Sequence, residues 1–232
     1  EGPWQALSNP ALGQFRSSPT GRVCNHSSGA NDKGYAICLE CGRAEPMPLH
    51  INPQDKSSLG HLPLLFRGPH KRLRGGKGQG ETSAICKGSE KQFAIKPNLH
   101  LGLEEVTDVL ELQLNGLDEL PISDKVAAYS IAVALRAAVA TSLGVEIGCD
   151  VKPIRHAMQK QEGYVIVLYD HSAAGYSSSV TERLPELLEH ARGNLLHCPG
   201  SCQSACQHCL LDYDTRFRLA ELDRVAATKF LT

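Results

Sequence analysis

The twelve residues Cys198-Pro-Gly-Ser-Cys-Gln-Ser-Ala-Cys-Gln-His-Cys209 set four cysteines in the pattern C-x3-C-x3-C-x2-C. Four thiolates on one zinc, at about 2.3 Å each, bring their sulfurs to about 3.8 Å from one another. A single straight helix would spread Cys198 and Cys209 over roughly 16 Å, at about 1.5 Å per residue. The chain is therefore expected to fold back on itself, with Pro199-Gly200 at the reversal and Cys206 and Cys209 on the first turn of a helix. Buried structural thiols, or ligation shared with His197 or His208, are the rival readings. Four donors in so short a stretch fit a closed tetrahedral site, which is structural rather than hydrolytic.

Outward from this cluster, the whole chain holds nine cysteines in 232 residues. An odd number cannot close as an intramolecular disulfide set, and no secretion signal opens the sequence. Metal-bound thiolates in a reducing, cytoplasmic setting are the expectation. Cys24, Cys38, Cys41 and Cys86 form an early group, and Cys149 stands alone as a small buried apolar residue. Cys38-Leu-Glu-Cys41-Gly42 is half of a zinc knuckle, with the glycine letting the backbone turn beneath the metal. Cys86 is a candidate third ligand. The residues alone leave the fourth open among Cys24, His26, His61 and His70, and a lone surface C-x2-C pair is the alternative.

Composition sets the frame. With 24 Lys+Arg against 25 Asp+Glu and 41% hydrophobic residues, the chain is neither a uniformly basic nucleic-acid coat nor disordered. The apolar stretch around Tyr129–Ala140 is broken by Ser130 and Arg136, so no membrane helix is expected. The chain opens at Glu1 rather than Met, as a fragment or processed form would.

The fold class read from the pattern is α+β: a zinc-stapled, loop-rich half over residues 1–100 and a mixed sheet-and-helix half over 101–232 that ends in the four-Cys knuckle. The first half holds most of the Pro and Gly and is expected to be irregular, with short strands at Tyr35–Leu39 and Phe93–Ile95. Bound ions, more than a large apolar interior, are expected to hold the chain in shape. In the second half, alternation predicts a strand at Val109–Leu114. Ser123 is read as the cap of a helix over Asp124–Leu143 that Gly144 stops. Strands are predicted at Val145–Val151 and Tyr164–Tyr169, and helices at Ser178–Arg192 and Thr215–Phe230.

Between Lys56 and Gly80 lie six cations and no acid. Of these, Arg67, Lys71, Arg72, Arg74 and Lys77, among glycines, suit a nucleic-acid backbone; a solvated loop is the bland alternative. No G-x-x-x-x-G-K-[ST] motif occurs, so the chain is expected to be no ATPase and non-catalytic by itself. Asp170, His171 and Ser177–Ser179 offer hydrolase residue types without a G-x-S-x-G elbow. They support only an alternative reading, a nucleic-acid or phosphoester hydrolase.

Several segments, taken in order, resemble one family. They are Gly34-Tyr-Ala-Ile-Cys-Leu-Glu-Cys-Gly-Arg-Ala44, His70-Lys-Arg-Leu-Arg-Gly75, Cys86-Lys-Gly88 and Leu101–Leu112. Gly144-Val-Glu-Ile-Gly148, Val167-Leu-Tyr-Asp170 with Ala173-Ala-Gly-Tyr176, the four-Cys cluster and Leu222-Asp-Arg224 follow. The set is similar to the zinc-binding domain of MrfA-like superfamily 2 helicases and to the DrmB component of DISARM anti-phage systems. That resemblance implies two structural zinc ions. Their ligands would be Cys38, Cys41, His70 and Cys86 at one and Cys198, Cys202, Cys206 and Cys209 at the other, with Cys24 as the alternative to His70. It also implies a helicase motor as partner, in cis or in trans, contact with DNA, and a role in anti-phage defence or DNA repair. The family often carries a Pro-Gly-Gly-like turn where this chain has His171-Ser-Ala-Ala-Gly175, which weighs against phosphate cradling there. A third reading is a protein-interaction subunit with no DNA role.

Overall fold

The computed structural model describes residues 2–50, 59–72, 85–91, 93–155 and 162–232. The chain divides into two compact units, one of residues 1–23 with 105–232 and the other of residues 24–104. The fold is α+β.

The larger unit is built on a five-stranded sheet. Its strands are β1 (Gln5–Ala6), β2 (Gly13–Ser27), β6 (Leu101–Leu114), β7 (Ile147–Arg155) and β8 (Glu162–Asp170), in the order β1-β2-β6-β8-β7. β3 (Tyr35–Cys38), β4 (Ala44–Pro46) and β5 (Ile95–Leu99) belong to the smaller unit. β7 and β8 pair antiparallel over nine positions, from Ile147 opposite Asp170 to Arg155 opposite Glu162. β8 also pairs antiparallel with β6, Leu110 opposite Leu168 and Leu112 opposite Ile166. These four side chains are fully buried. On the neighbouring register, Glu111 takes the opposite face and pairs there with Arg16 and Lys152.

Helix α1 (Lys125–Leu143) packs on the sheet's apolar face. Asp124, not Ser123, is its cap: its Oδ1 accepts from the Val126 and Ala127 N–H groups at 2.8 and 3.1 Å. Gly144 ends it in the left-handed conformation, as expected. α1 is long and apolar enough to cross a membrane by length and composition alone. Here it is the core helix, with Ala128, Ile131, Ala132 and Leu135 fully buried beneath β7, β8, α3 (Leu184–Leu196) and α4 (Arg224–Leu231). The single turn α2 (Tyr176–Ser179) lies between β8 and α3.

Further expectations need correction. Residues 2–23 are not irregular, because Gln5 pairs with Phe15 and Ala6 with Gln14 in the sheet. The expected helix at Thr215–Phe230 is a turn, a 3-10 segment at Leu219–Glu221 and then α4. The helix expected over Ser178–Arg192 is instead two elements, the turn α2 ending at Ser179 and α3 running from Leu184 to Leu196. An apolar interior also carries far more of this unit than expected, running from Leu7 through α1, β8 and α3 to Ala227.

The smaller unit carries the three-stranded sheet β4-β3-β5. Among the described residues its buried apolar cluster is Ala36, Cys38, Met47, Leu62, Phe66 and Cys86. Two of those six are cysteines at the early site. That is too little area to hold a unit of this size without a staple.

Candidate metal centres

Cys38 closes β3, and the turn after it carries Cys41. The Gly42 N–H donates to Cys38 O at 2.8 Å, with Gly42 at φ +72, a conformation that favours glycine. His70 and Cys86 come from segments joined by an isolated antiparallel bridge, Lys71 opposite Ile85, and the Cys86 N–H donates to His70 O at 2.8 Å. The ligand atoms of Cys38, Cys41, His70 and Cys86 all lie within 4.8 Å of one another. Cys38 Sγ is 3.8 Å from Cys86 Sγ, and Cys41 Sγ is 3.6 Å from His70 Nε2. A side chain at Gly88 would put its Cβ 2.7 Å from Cys38 Sγ, so the backbone passes where only glycine fits. Cys24, the alternative fourth ligand, is exposed and outside this group.

His70 is buried and set for ligation. Its Nδ1 faces Ser89 Oγ at 2.9 Å, and its own backbone N–H donates to the same oxygen at 2.9 Å. With Nδ1 as donor to Ser89, the Nε2 lone pair points at the sulfurs. Burial, and then the Arg43 guanidinium, lower the imidazole's pKa and keep it neutral, as a metal ligand must be. Replacing Ser89 with Ala removes the acceptor that fixes this tautomer. The expected result is about tenfold weaker zinc at the early site, read by competition with a chromogenic chelator, with the late site unchanged.

At the late cluster, Cys198 Sγ lies 4.0 Å from Cys202 Sγ and 3.5 Å from Cys206 Sγ. Cys209 Sγ lies 3.5 Å from Cys202 Sγ and 3.8 Å from Cys206 Sγ. These separations bracket the tetrahedral edge expected for zinc thiolates. The reversal falls at Pro199-Gly200, as predicted, and Ser201 follows at φ +44. Cys206 and Cys209 sit on a hydrogen-bonded turn rather than a helix, with Cys206 O accepting from the Cys209, Leu210 and Leu211 N–H groups. Burial pushes the Cys209 thiol up to about 12 and raises Cys202. Burial also works against the Cys198 thiolate, but hydrogen bonds from Cys206 and the Gly200 N–H outweigh it and bring that thiol down to about 7. Sulfurs this close cannot all ionise without a cation. A divalent ion supplies that charge, so both donor sets fit zinc, with four ligands each and a structural role.

Arg224, on the first turn of α4, fastens the late knuckle. Its Nε and Nη2 donate to Cys202 O at 2.9 and 2.6 Å, and Nη1 donates to Leu195 O at the end of α3. Leu222 is buried and Asp223 caps α4 through the Ala226 N–H, which gives each residue of Leu222-Asp-Arg224 a task.

Of the five expected phosphate contacts, Arg74 and Lys77 lie outside the described residues. Arg67 donates to Leu62 O and Gly60 O at 2.9 and 2.7 Å, holding its own loop. Lys71 and Arg72 are exposed. Sequence reasoning missed their neighbours Arg43, Lys87 and Lys91. Arg43 Nη1 donates to Lys71 O. The hydrogen bond from Lys91, helped by Arg72 and Lys87, holds the Glu40 carboxyl below the usual range. The Cys86-Lys-Gly88 motif contains one of these cations, but only the fold gathers them around the early knuckle.

The hydrolase residues do not form a catalytic set. Asp170 and Ser177 are buried and bonded to each other: Asp170 Oδ1 accepts from the Ser177 hydroxyl at 2.6 Å and N–H at 2.9 Å, and Oδ2 from the Tyr176 N–H at 2.8 Å. Asp108 likewise accepts from the Gly175 N–H and the Ser178 hydroxyl. His171 is exposed, edge-on to Tyr169, and bonds to neither Asp170 nor Ser177 among the described residues. Cys149 is buried against α1, and burial pushes its thiol up to about 12, so it stays protonated.

No curated protein matches the chain. A solved crystal structure, of the DUF1998 helicase MrfA bound to DNA, is similar at 19% identity with a TM-score of 0.41, over 59% of this chain and 18% of that one. The chain thus corresponds to less than a fifth of that helicase's length. A family model, the MrfA Zn-binding domain, matches residues 135–210, from within α1 to the residue after Cys209. The matched stretch is similar to the MrfA Zn-binding domain and takes in the four cysteines drawn together at the late knuckle.

Proposed function

We propose that the chain is a zinc-stapled module that serves a superfamily 2 helicase and contacts DNA, working in the cytoplasm in anti-phage defence or DNA repair. The domain matched over residues 135–210 takes its name from MrfA, a helicase crystallised on DNA. The observation that carries the DNA contact is the set of cations around the early knuckle: Arg43, Lys71, Arg72, Lys87 and Lys91, against Glu40 and Glu45. Zinc fixes the loops from which these side chains project, so the charges are held in place rather than spread along a flexible chain. Phosphate contacts of this kind are sequence-blind and weaken as salt rises.

Fluorescence anisotropy of the zinc-loaded chain with labelled DNA tests this. Binding should be measurable at low salt and fall steeply with added salt. The pair Lys71→Glu and Arg72→Glu should reduce the slope of log affinity against log salt by about two, close to one per lost contact. No binding at low salt, or binding indifferent to salt, would remove the DNA contact and leave the zinc scaffold.

A further inference from the structure

One residue past the last late ligand, the chain makes a rigid loop. Leu210 is buried, and Thr215, fully buried, donates its hydroxyl to Leu210 O at 2.9 Å. Asp212 Oδ1 accepts from the Asp214 and Thr215 N–H groups, both at 2.9 Å. Arg136, reaching out of α1, pairs with both Asp212 and Asp214. The backbone is thus pinned from beneath by the zinc knuckle, a buried threonine and a buried cation.

The tip of this loop is the opposite of what a solvated turn needs. Tyr213 is 73% exposed and Phe217 83% exposed. The Arg216 guanidinium lies between them, 3.5 Å from the Tyr213 ring centroid and 4.5 Å from that of Phe217. The acids nearby have other partners: Asp212 and Asp214 share Arg136, Asp150 pairs with Arg218, and Glu221 with Arg218 and Lys125. Arg216 has no ion-pair partner among the described residues. What the loop offers is two exposed aromatic rings and one guanidinium free of any ion pair among the described residues, on a backbone that loses little freedom when it binds.

We propose that Tyr213, Arg216 and Phe217 form a stacking platform for single-stranded nucleic acid. Unpaired bases stack on the rings and Arg216 serves the adjoining phosphate or stacks in turn. A duplex hides its base faces, so it gains nothing from the rings. An acidic protein partner would use the charge but leave the two rings facing water. The proposal rests on the nucleic-acid reading above and deepens it: the cations at the early knuckle attract any strand, whereas this loop selects unpaired bases.

The test uses the zinc-loaded full chain and three probes: an oligothymidine of about 15 nucleotides, an abasic strand of the same length and a blunt duplex. Tyr213→Ala with Phe217→Ala should weaken oligothymidine binding about ten- to a hundredfold. Abasic-strand and duplex affinities, and the salt slope, should not change. Tyr213→Phe should keep wild-type affinity. Unchanged zinc content and circular dichroism show that the variant is folded. Three outcomes overturn the proposal. The double variant binds oligothymidine like the wild type; the wild type fails to prefer oligothymidine to the abasic strand; or the variant keeps strand binding and loses only a helicase partner. In each of these the Lys71/Arg72 effect still stands or falls by itself. A chain that binds none of the probes takes both readings down.

Discussion

Removing zinc with a strong chelator should unfold the smaller unit between β2 and β6 and leave the five-stranded sheet standing. In the smaller unit, metal ligands make up a third of the apolar cluster buried among the described residues, as Cys38 and Cys86 beside Ala36, Met47, Leu62 and Phe66. A structural zinc of this kind contributes on the order of 10 kcal/mol to folding. A cluster of this size cannot replace that, given that whole domains are stable by only about 5–15 kcal/mol. The larger unit differs. Leu110, Leu112, Ile131, Leu135, Ile166, Leu168, Leu184 and Leu195 are fully buried there without help from a metal. Loss of its ion should free the Cys198–Phe217 stretch but not the sheet. Hydrogen exchange read segment by segment, alongside a count of released zinc, checks this. Two equivalents of zinc, with protection lost between β2 and β6 and kept over β7, β8 and α1, is the expected result. Protection kept in both units after full zinc release would overturn the account of the smaller one.

Replacing Asp170 with Ala should cost about 3–5 kcal/mol, the largest single-residue loss expected outside the ligands. The carboxylate is 1% exposed and receives three donors: the Tyr176 N–H, the Ser177 N–H and the Ser177 hydroxyl. Each buried donor left without an acceptor costs about 1–3 kcal/mol. Water is poorly placed to substitute, since Ser177 is fully buried. The midpoint of thermal unfolding for the larger unit should fall on the order of 10 °C, followed by circular dichroism with zinc present throughout. Asp170→Asn keeps one acceptor oxygen and should lose about half as much. A variant as stable as the wild type would show that the loop after β8 is held by something other than this carboxylate. The same bonds explain why Asp170 and Ser177 are not hydrolytic partners: the hydroxyl is spent on the carboxylate, and among the described residues no imidazole bonds to it.

Much of the metal chemistry was readable in advance because ligand spacing is local. C-x3-C-x3-C-x2-C admits few ways of bringing four sulfurs together, and Pro199-Gly200 marks the place where the chain turns. β8 was equally legible, since Tyr164-Val-Ile-Val-Leu-Tyr169 is apolar enough to be buried on both faces. β2 was not. Gly13–Ser27 is rich in Gly, Ser, Arg and Pro, lies mostly at intermediate or full exposure, and shows no two-residue alternation. It is a strand because β1 and β6 supply partners on either side, and that information lies far off in the chain. The same holds for the helix cap. Ser123 and Asp124 are both competent N-caps, and which one takes the role depends on where α1 meets the sheet.

Local sequence, then, determined the late donor set, the central helix and the strand that leads to the late knuckle, because sterics, hydrophobic period and ligand spacing act within a few residues. Tertiary structure brings His70, the ligand the family resemblance implied, and not Cys24 into the early set. It alone decided that Arg136 of α1 anchors the Asp212–Phe217 loop, and that Arg43, Lys87 and Lys91 join Lys71 and Arg72. Those contacts join residues tens of positions apart, and their energy exists only after the chain has closed the loops between them.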